Sequence, residues 1–428
     1  MDYPQLCSSE PVFNAASSAE EPVQRMSLRE RRSGSLSNSK PLAGLSLATL
    51  ATSREAHVEG PLPRALFRGW SATAQGRQVP PQLPGSLVLM SYNILASRYI
   101  TTDRYPHCFP PFSDPAFLDT KFRSTNILDE IAGCEPDIIC MQEMSLEVYA
   151  EKGHLGDVLR QQKGYDSRHI VVTGKDGKEI HRRRHDDGTL AQEVRGEFEG
   201  VAIFFNPNRF TVLEEHPIRF NSIASTDRDL LPEERAKLQV VSHNVCNILV
   251  LEDAAVAGSS SRSVFIVATM HAIWETSKPE CQTYQMFHVL QCIEDMRAGY
   301  DDGATHLAVL IAGDLNAEAH APSLRYALER QLSEPAFHTW GTSRPRGHTL
   351  ALRLAYDEYV SRHPQKVSAM NPSTNYEGKV IDHVLYDPEA LMCTMVGKLG
   401  DRAELPSAGV PSDHYPIAAS FTPLWALR

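Results

Sequence analysis

Hydrophobic positions in this chain gather into short unbroken runs that stop on polar side chains. In His306-Leu-Ala-Val-Leu-Ile-Ala-Gly-Asp-Leu-Asn316 the apolar run reads as a strand buried on both faces. Gly313 marks a turn off its end, and Asp314 and Asn316 sit at its carboxyl mouth. Gly-Asp-x-Asn is also ordinary turn chemistry, so this stretch alone does not separate a turn from a site. A carboxylate in such a place is expensive without a partner, which a cation or a catalytic water would supply.

The same pattern recurs along the chain. A strand over 86–95 ends on Asn93. Apolar Phe117, Leu118, Phe122, Ile127, Leu128 and Ile131 predict a helix over 116–134, which Pro136 breaks before a second run ends in Glu143. A helix follows over about 153–162, then strands at 200–205 and 210–213. Runs at 239–251 and 263–269 flank a Gly/Ser tip and read as an antiparallel pair, the second delivering His271 and Trp274. Helices are expected over 278–299 and 323–332, and strands over 380–386 and 412–421. This mixture predicts an α/β fold in which two sheets pack face to face as a sandwich with flanking helices.

Residues 1–85 are rich in Ser, Ala and Pro without a sustained period and are expected to form a disordered tail. Residues 86–423 are then one catalytic domain. The basic, serine-dense patch 29–38 reads as a solvated charge run, with phosphorylation at Ser33 or Ser35 as the alternative. The polar segment 174–197, with Arg182-Arg-Arg184 and Asp186-Asp187, reads as an inserted loop; holding phosphate is its other reading.

Composition narrows the chemistry. A net charge of -11 leaves no whole-chain basic field for long duplex nucleic acid, so any nucleic-acid contact is local. The 8 cysteines include no C-x-x-C pair, which argues against thiolate zinc and for core thiols in a reducing compartment. No apolar stretch approaches membrane-spanning length and the N-terminus lacks an h-region, so a cytoplasmic protein is expected, with the nucleus as the alternative.

Separate strand ends thus carry Asn93, Glu143, His271, Asp314 with Asn316, Asp382, and Asp413 with His414. One glutamate with amide and water oxygens is how proteins hold Mg²⁺, and no His-rich or thiolate set competes. His414 suits a general base or a phosphate-polarising group, with Asp382 fixing its tautomer. Asp314 suits activation of water, and Asn316 and His271 suit donation to phosphorus oxygens. The composite is metal-assisted phosphoester hydrolysis.

Ser91-Tyr-Asn-Ile-Leu-Ala96, Met141-Gln-Glu143, Gly313-Asp-Leu-Asn316, Ile381-Asp-His383 and Pro411-Ser-Asp-His414 resemble the motif series of the endonuclease/exonuclease/phosphatase superfamily. Tyr105-Pro-His-Cys108 and Leu405-Pro-Ser407 narrow the resemblance to the carbon-catabolite-repression-type deadenylase branch, which includes nocturnin, the Angel proteins and the 2',5'-phosphodiesterases. The resemblance spans about residues 84–423. It implies Mg²⁺ dependence, with Mn²⁺ as an alternative, and Glu143 as principal ligand with Asn93 and Asp413 beside it. It also implies that Asp314 positions water, that His271 and Asn316 contact phosphate, and that Asp382 and His414 complete the site. The implied partner is the 3' poly(A) end of single-stranded RNA, with Tyr376 and Trp274 as candidate substrate-binding aromatics. A deadenylation complex is a further implied partner, although leucine-rich repeats for docking are absent.

Departures keep alternatives open. Thr269 stands where the branch usually has Asn, and Glu199-Gly-Val-Ala202 replaces Asp-Gly-Cys-Ala. A nocturnin-like NADP phosphatase, a 2',5'-phosphodiesterase and an inactive scaffold therefore stand beside the exoribonuclease.

Overall fold

The computed structural model describes residues 67–78, 83, 85–172, 199–241, 244–256, 261–331, 347–362, 372–375, 377–401 and 404–427, all within the compact unit Pro61–Arg428. The patch at 29–38, the segment 174–197 and Tyr376 lie outside the described residues.

The strands in chain order begin β1 (Trp70–Ala72), β2 (Leu87–Asn93), β3 (Ile138–Ser145), β4 (Asp166–Val171), β5 (Glu199–Phe205), β6 (Phe210–Arg219), β7 (Val245–Asp253) and β8 (Arg262–His271). They continue with β9 (Thr305–Asp314), β10 (Arg353–Leu354), β11 (Pro372–Ser373), β12 (Asp382–Tyr386), β13 (Leu391–Gly397), β14 (Gly400–Asp401) and β15 (Ile417–Pro423). One sheet runs β1-β13-β15-β2-β3-β5-β4 and the other β10-β12-β9-β8-β7-β6. Alternation along the central strands builds the layers. Leu87 and Leu89 of β2 face Leu310 and Ala312 of β9 in a core between the sheets, while Met90 and Tyr92 turn outward, as do Val309 and Ile311.

The helices α1 (Thr120–Cys134), α2 (Leu146–Ala150) and α3 (Leu155–Gln161) follow β2 and β3, and α1 and α3 cover the outer face of the first sheet. The second sheet is covered by α4 (Phe220–Thr226), α5 (Pro232–Val241), α6 (Pro279–Gly299) and α7 (Pro322–Glu329). The expected two-sheet α/β sandwich is therefore the observed one. No described helix is long and apolar enough to cross a membrane.

Each sheet holds one parallel pair, β2 with β3 and β8 with β9, and each pair is joined by a crossover helix, α1 or α6. Parallel pairs bring two carboxyl ends to the same edge. Antiparallel β12 and β15 return beside β9 and β2, so they contribute their starts to that edge. The polar strand ends meet because of this connectivity.

Several expectations change. The fold begins before residue 86, since β1 pairs with β13 and Phe67 and Trp70 pack against α1's layer. The run read as strand from 239 starts as the end of α5, for which Pro232 and the first-turn acids Glu233 and Glu234 are the stronger signals. The helix expected from 116 is a 3-10 turn, Pro115–Leu118, before Asp119 caps α1 by accepting from the amides of Lys121 and Phe122. Gly313 is no turn residue: it pairs within β9, and a Cβ there would lie 2.0 Å from the Met270 carbonyl oxygen. Close packing of two parallel strands is what demands glycine at 313.

One buried group in α1 gives a pH-dependent stability. Neither carboxylate oxygen of fully shielded Glu130 has a hydrogen-bond partner, and Arg68 Nη1 stands 3.7 Å away. Burial pushes this carboxyl from 4.5 up to about 7 against the pull of Arg68. The folded value lies above the unfolded one, so the contribution is present below pH 4.5 and is lost as pH rises through about 7. Glu130→Gln is expected to flatten the fall in urea midpoint across this window and to be more stable than wild type at alkaline pH by about 3 kcal/mol. Parallel midpoint-versus-pH curves for the two proteins would exclude it.

Candidate active site

Glu143 is the extra residue of a β-bulge where β3 pairs with β5, and its φ of 57° lies in the left-handed region. A non-glycine residue there costs about 1–3 kcal/mol and persists where the surroundings over-determine it. Its Oε2 accepts from the Ala96 amide at 2.8 Å and its Oε1 from Asn93 Nδ2 at 3.2 Å. Asn93 Nδ2 also donates to Asp314 Oδ2 at 2.9 Å, while Asn93 Oδ1 accepts from the Leu95 amide at 3.1 Å. In this arrangement Asn93 bridges the two carboxylates.

Asp314 is opposite His271 across β8 and opposite Asp382 across β12. Its Oδ1 accepts from the Asn316 amide at 2.9 Å, and its Oδ2 lies 3.6 Å from Nε2 of both His271 and His414. His414 Nδ1 lies 2.8 Å from Asp382 Oδ2, so the histidine and its orienting carboxylate are in contact. Thr374 Oγ1 accepts from the Asp382 amide at 3.2 Å, and Ser412 Oγ donates to the Asn93 carbonyl at 2.7 Å, which locks the His414 segment to β2. Asn316 donates one amide hydrogen to the Ala272 carbonyl at 3.0 Å, bracing the ends of β8 and β9. Trp274 lies just past β8 and is 75% exposed, an unusual position for so large an apolar ring.

The electrostatics are those of an anionic mouth. Glu143, Asp314, Asp382 and Asp413 are all buried. Burial raises the Glu143 carboxyl, opposed by His271 and reinforced by Asp413. Burial likewise pushes Asp382 up to about 6 against the pull of His414. For His414, burial works against the charge, but Asp382, Asp314 and Asp413 outweigh it and raise the imidazole well above its ordinary range. The ligand atoms of Asp314, Asp382 and His414 converge within 4.8 Å of one another. Asp382 Oδ1 and Asp413 Oδ1 are buried without a hydrogen-bond partner. Oxygen-rich, net-negative and partly orphaned, this donor set fits a hard divalent cation.

Residues to which the sequence assigned no role hold the mouth together. Tyr105 Oη donates to Asp413 Oδ2 at 2.6 Å from full burial, so its motif contributes a support to the site. Arg123 of α1 is buried and donates to the carbonyls of Ile94, Leu95 and Pro411. It shares a helix face with Ile127 and Ile131, and a charge on that apolar stripe is the signal that marks it. Gln142 Nε2 donates to Thr269 Oγ1 at 3.0 Å and to Ser91 Oγ at 3.2 Å, joining the two sheets beneath the mouth. Thr269 therefore keeps a hydrogen bond at its departure from the usual motif.

A model of the Endonuclease/Exonuclease/phosphatase family matches residues 90–414. Carbon catabolite repressor protein 4 homolog 2 of Arabidopsis thaliana is 24% identical over 413 residues, covering 87% of this chain and 64% of that protein. CCR4-NOT transcription complex subunit 6-like-B of Xenopus laevis is 22% identical over 399 residues, covering 82% and 66%. The chain thus spans less than two thirds of these relatives' length. The crystal structure of ANGEL2, described as a 2',3'-cyclic phosphatase, superposes with a TM-score of 0.59 at 18% identity, over 83% of this chain and 98% of that one, and so shares the fold. With the family model running from β2 to His414, through every strand end that builds the mouth, the chain belongs to the endonuclease/exonuclease/phosphatase family of hydrolytic enzymes.

Proposed function

We propose that this protein is a divalent-metal-dependent 3'-to-5' exoribonuclease that shortens poly(A) tails. The convergence of four buried carboxylates with the Asp382–His414 pair carries the phosphodiesterase part of this reading. The RNA part draws on relatives such as the protein named CCR4-Not complex 3'-5'-exoribonuclease subunit Ccr4 in Schizosaccharomyces pombe, 24% identical over 369 residues.

Glu143, with Asp413 beside it, would hold Mg²⁺, which supplies charge stabilisation to the scissile phosphate when bound. Asp314, fixed through both oxygens by Asn93 and Asn316, orients the attacking water. His414 takes the phosphate-polarising role rather than that of a base: three carboxylates favour its charged form, which donates from Nε2. His271, whose Nε2 lies 3.6 Å from the same Asp314 oxygen, is a second donor. Trp274 offers an exposed face on which a base stacks without sequence preference.

A 5'-labelled RNA with a defined 3' A-tract, incubated with Mg²⁺, is expected to give a ladder of products losing one adenylate at a time. Glu143→Ala should abolish it, and Trp274→Ala should slow it at low RNA concentration while sparing it at saturation. Cleavage that survives Glu143→Ala would remove the metal assignment. Release of inorganic phosphate from NADP without any ladder would move the substrate to small nucleotides.

A further inference from the structure

Arg98 and Arg104 stand at the rim of the acidic mouth, and both carry their guanidinium carbon over the ring of Tyr99, at 4.6 and 5.5 Å from its centroid. Arg104 also lies 5.5 Å from the Tyr105 centroid. Each is coupled to a site carboxylate. Arg98 pairs with Glu199 and feels the charge of Glu143, while Arg104 Nη2 is 4.0 Å from Asp413 Oδ2. The side chains are 30% and 44% exposed, so both reach solvent beside the mouth. Tyr99 Oη donates to Glu199 Oε1 at 2.7 Å, which fixes the ring between them in orientation.

A polyanion approaching four buried carboxylates is repelled unless cations stand on its path. An arginine held by a carboxylate and stacked on an aromatic ring loses less rotamer freedom on meeting a phosphate than an unsupported one. The scissile phosphate belongs to the mouth itself, so cations at its rim are positioned for a different phosphate of the same chain.

We propose that Arg98 and Arg104, supported by Tyr99, form a second phosphate subsite that holds the RNA phosphate next to the scissile one, so that the enzyme selects oligonucleotides over substrates with a single phosphate. This rests on the phosphodiesterase reading above.

Anisotropy of 5'-fluorescein-labelled hexa-adenylate titrated with Asp314→Asn protein, repeated across a KCl series, tests the subsite without turnover. Adding Arg98→Gln or Arg104→Gln is expected to weaken binding and to make the log–log salt slope less negative by about 0.7 for each arginine removed. Unchanged affinity and slope in both variants would overturn the proposal. Should Arg98→Gln misfold without its pairing to Glu199, Arg104→Gln, at the more exposed position, decides. Bis(4-nitrophenyl) phosphate, a diester with one phosphate, tests the parent reading with Asp314 intact. Failure of the wild-type protein to cleave either this diester or hexa-adenylate overturns that reading while leaving the binding result standing. If both are cleaved and the arginine variants raise KM equally for the two, the subsite is excluded.

Discussion

Asp314→Asn is expected to lower kcat on adenylated RNA by about 10²- to 10⁴-fold, the range for removing a positioned general base. Protein bearing the substitution should still fold and still bind Mn²⁺. Both oxygens of Asp314 accept hydrogen bonds, Oδ1 from the Asn316 amide and Oδ2 from Asn93 Nδ2. An amide has one oxygen, so whichever way it turns, one of these N–H groups faces another N–H. That conflict is worth about 1–3 kcal/mol, a visible but survivable loss against a typical stability of about 5–15 kcal/mol. Metal binding should persist because Glu143, on the other side of Asn93, keeps its own amide from Ala96. Mn²⁺ titration followed by EPR separates the roles: Glu143→Ala should weaken binding far more than Asp314→Asn. The reverse order would transfer the principal ligand to the Asp314, Asp382 and His414 cluster.

The chain displayed its strand ends openly because a buried strand must be apolar throughout, so a polar residue bounding such a run on either side stands out. Asp314, Glu143, Asp382 and His414 were legible for that reason, and the two-sheet sandwich followed from the mixture of runs and amphipathic helices. Relations that depend on where a side chain turns after folding were not legible. The direction of the Asn93 amide is one of these: its Leu95 contact turns the nitrogen toward the carboxylates. Nor could the sequence show that Gly313 answers to a neighbouring strand, since Met270 comes near it only through parallel pairing. The 3-residue β1 is too short to carry a period and is recruited by the edge of β13.

Arg123→Met should be among the most damaging single changes outside the carboxylates, with a loss of about 3–5 kcal/mol, as expected when one partner of a buried charged network is removed. From one helix the guanidinium reaches two site segments: Nε donates to the Pro411 carbonyl at 2.6 Å, and Nη2 donates to Ile94 and, at 2.6 Å, to Leu95. Ile94 and Leu95 follow Asn93, and Pro411 precedes Ser412, Asp413 and His414. The side chain thus clamps the end of β2 to the segment that carries His414. Burial disfavours its charge, and nearby Asp413 and Glu143 partly offset that penalty, so the cation also moderates the anionic mouth. Methionine of similar length fills much of the space but leaves the carbonyls without a donor. Arg123→Lys restores the charge without the planar fork, and one ammonium cannot reproduce both sets of contacts in the same geometry. Lysine is therefore expected to recover part of the urea stability while kcat stays depressed, because alignment rather than charge is what remains missing. A methionine variant with an unchanged urea midpoint, or a lysine variant with full activity, would show that the two segments hold their positions without the clamp.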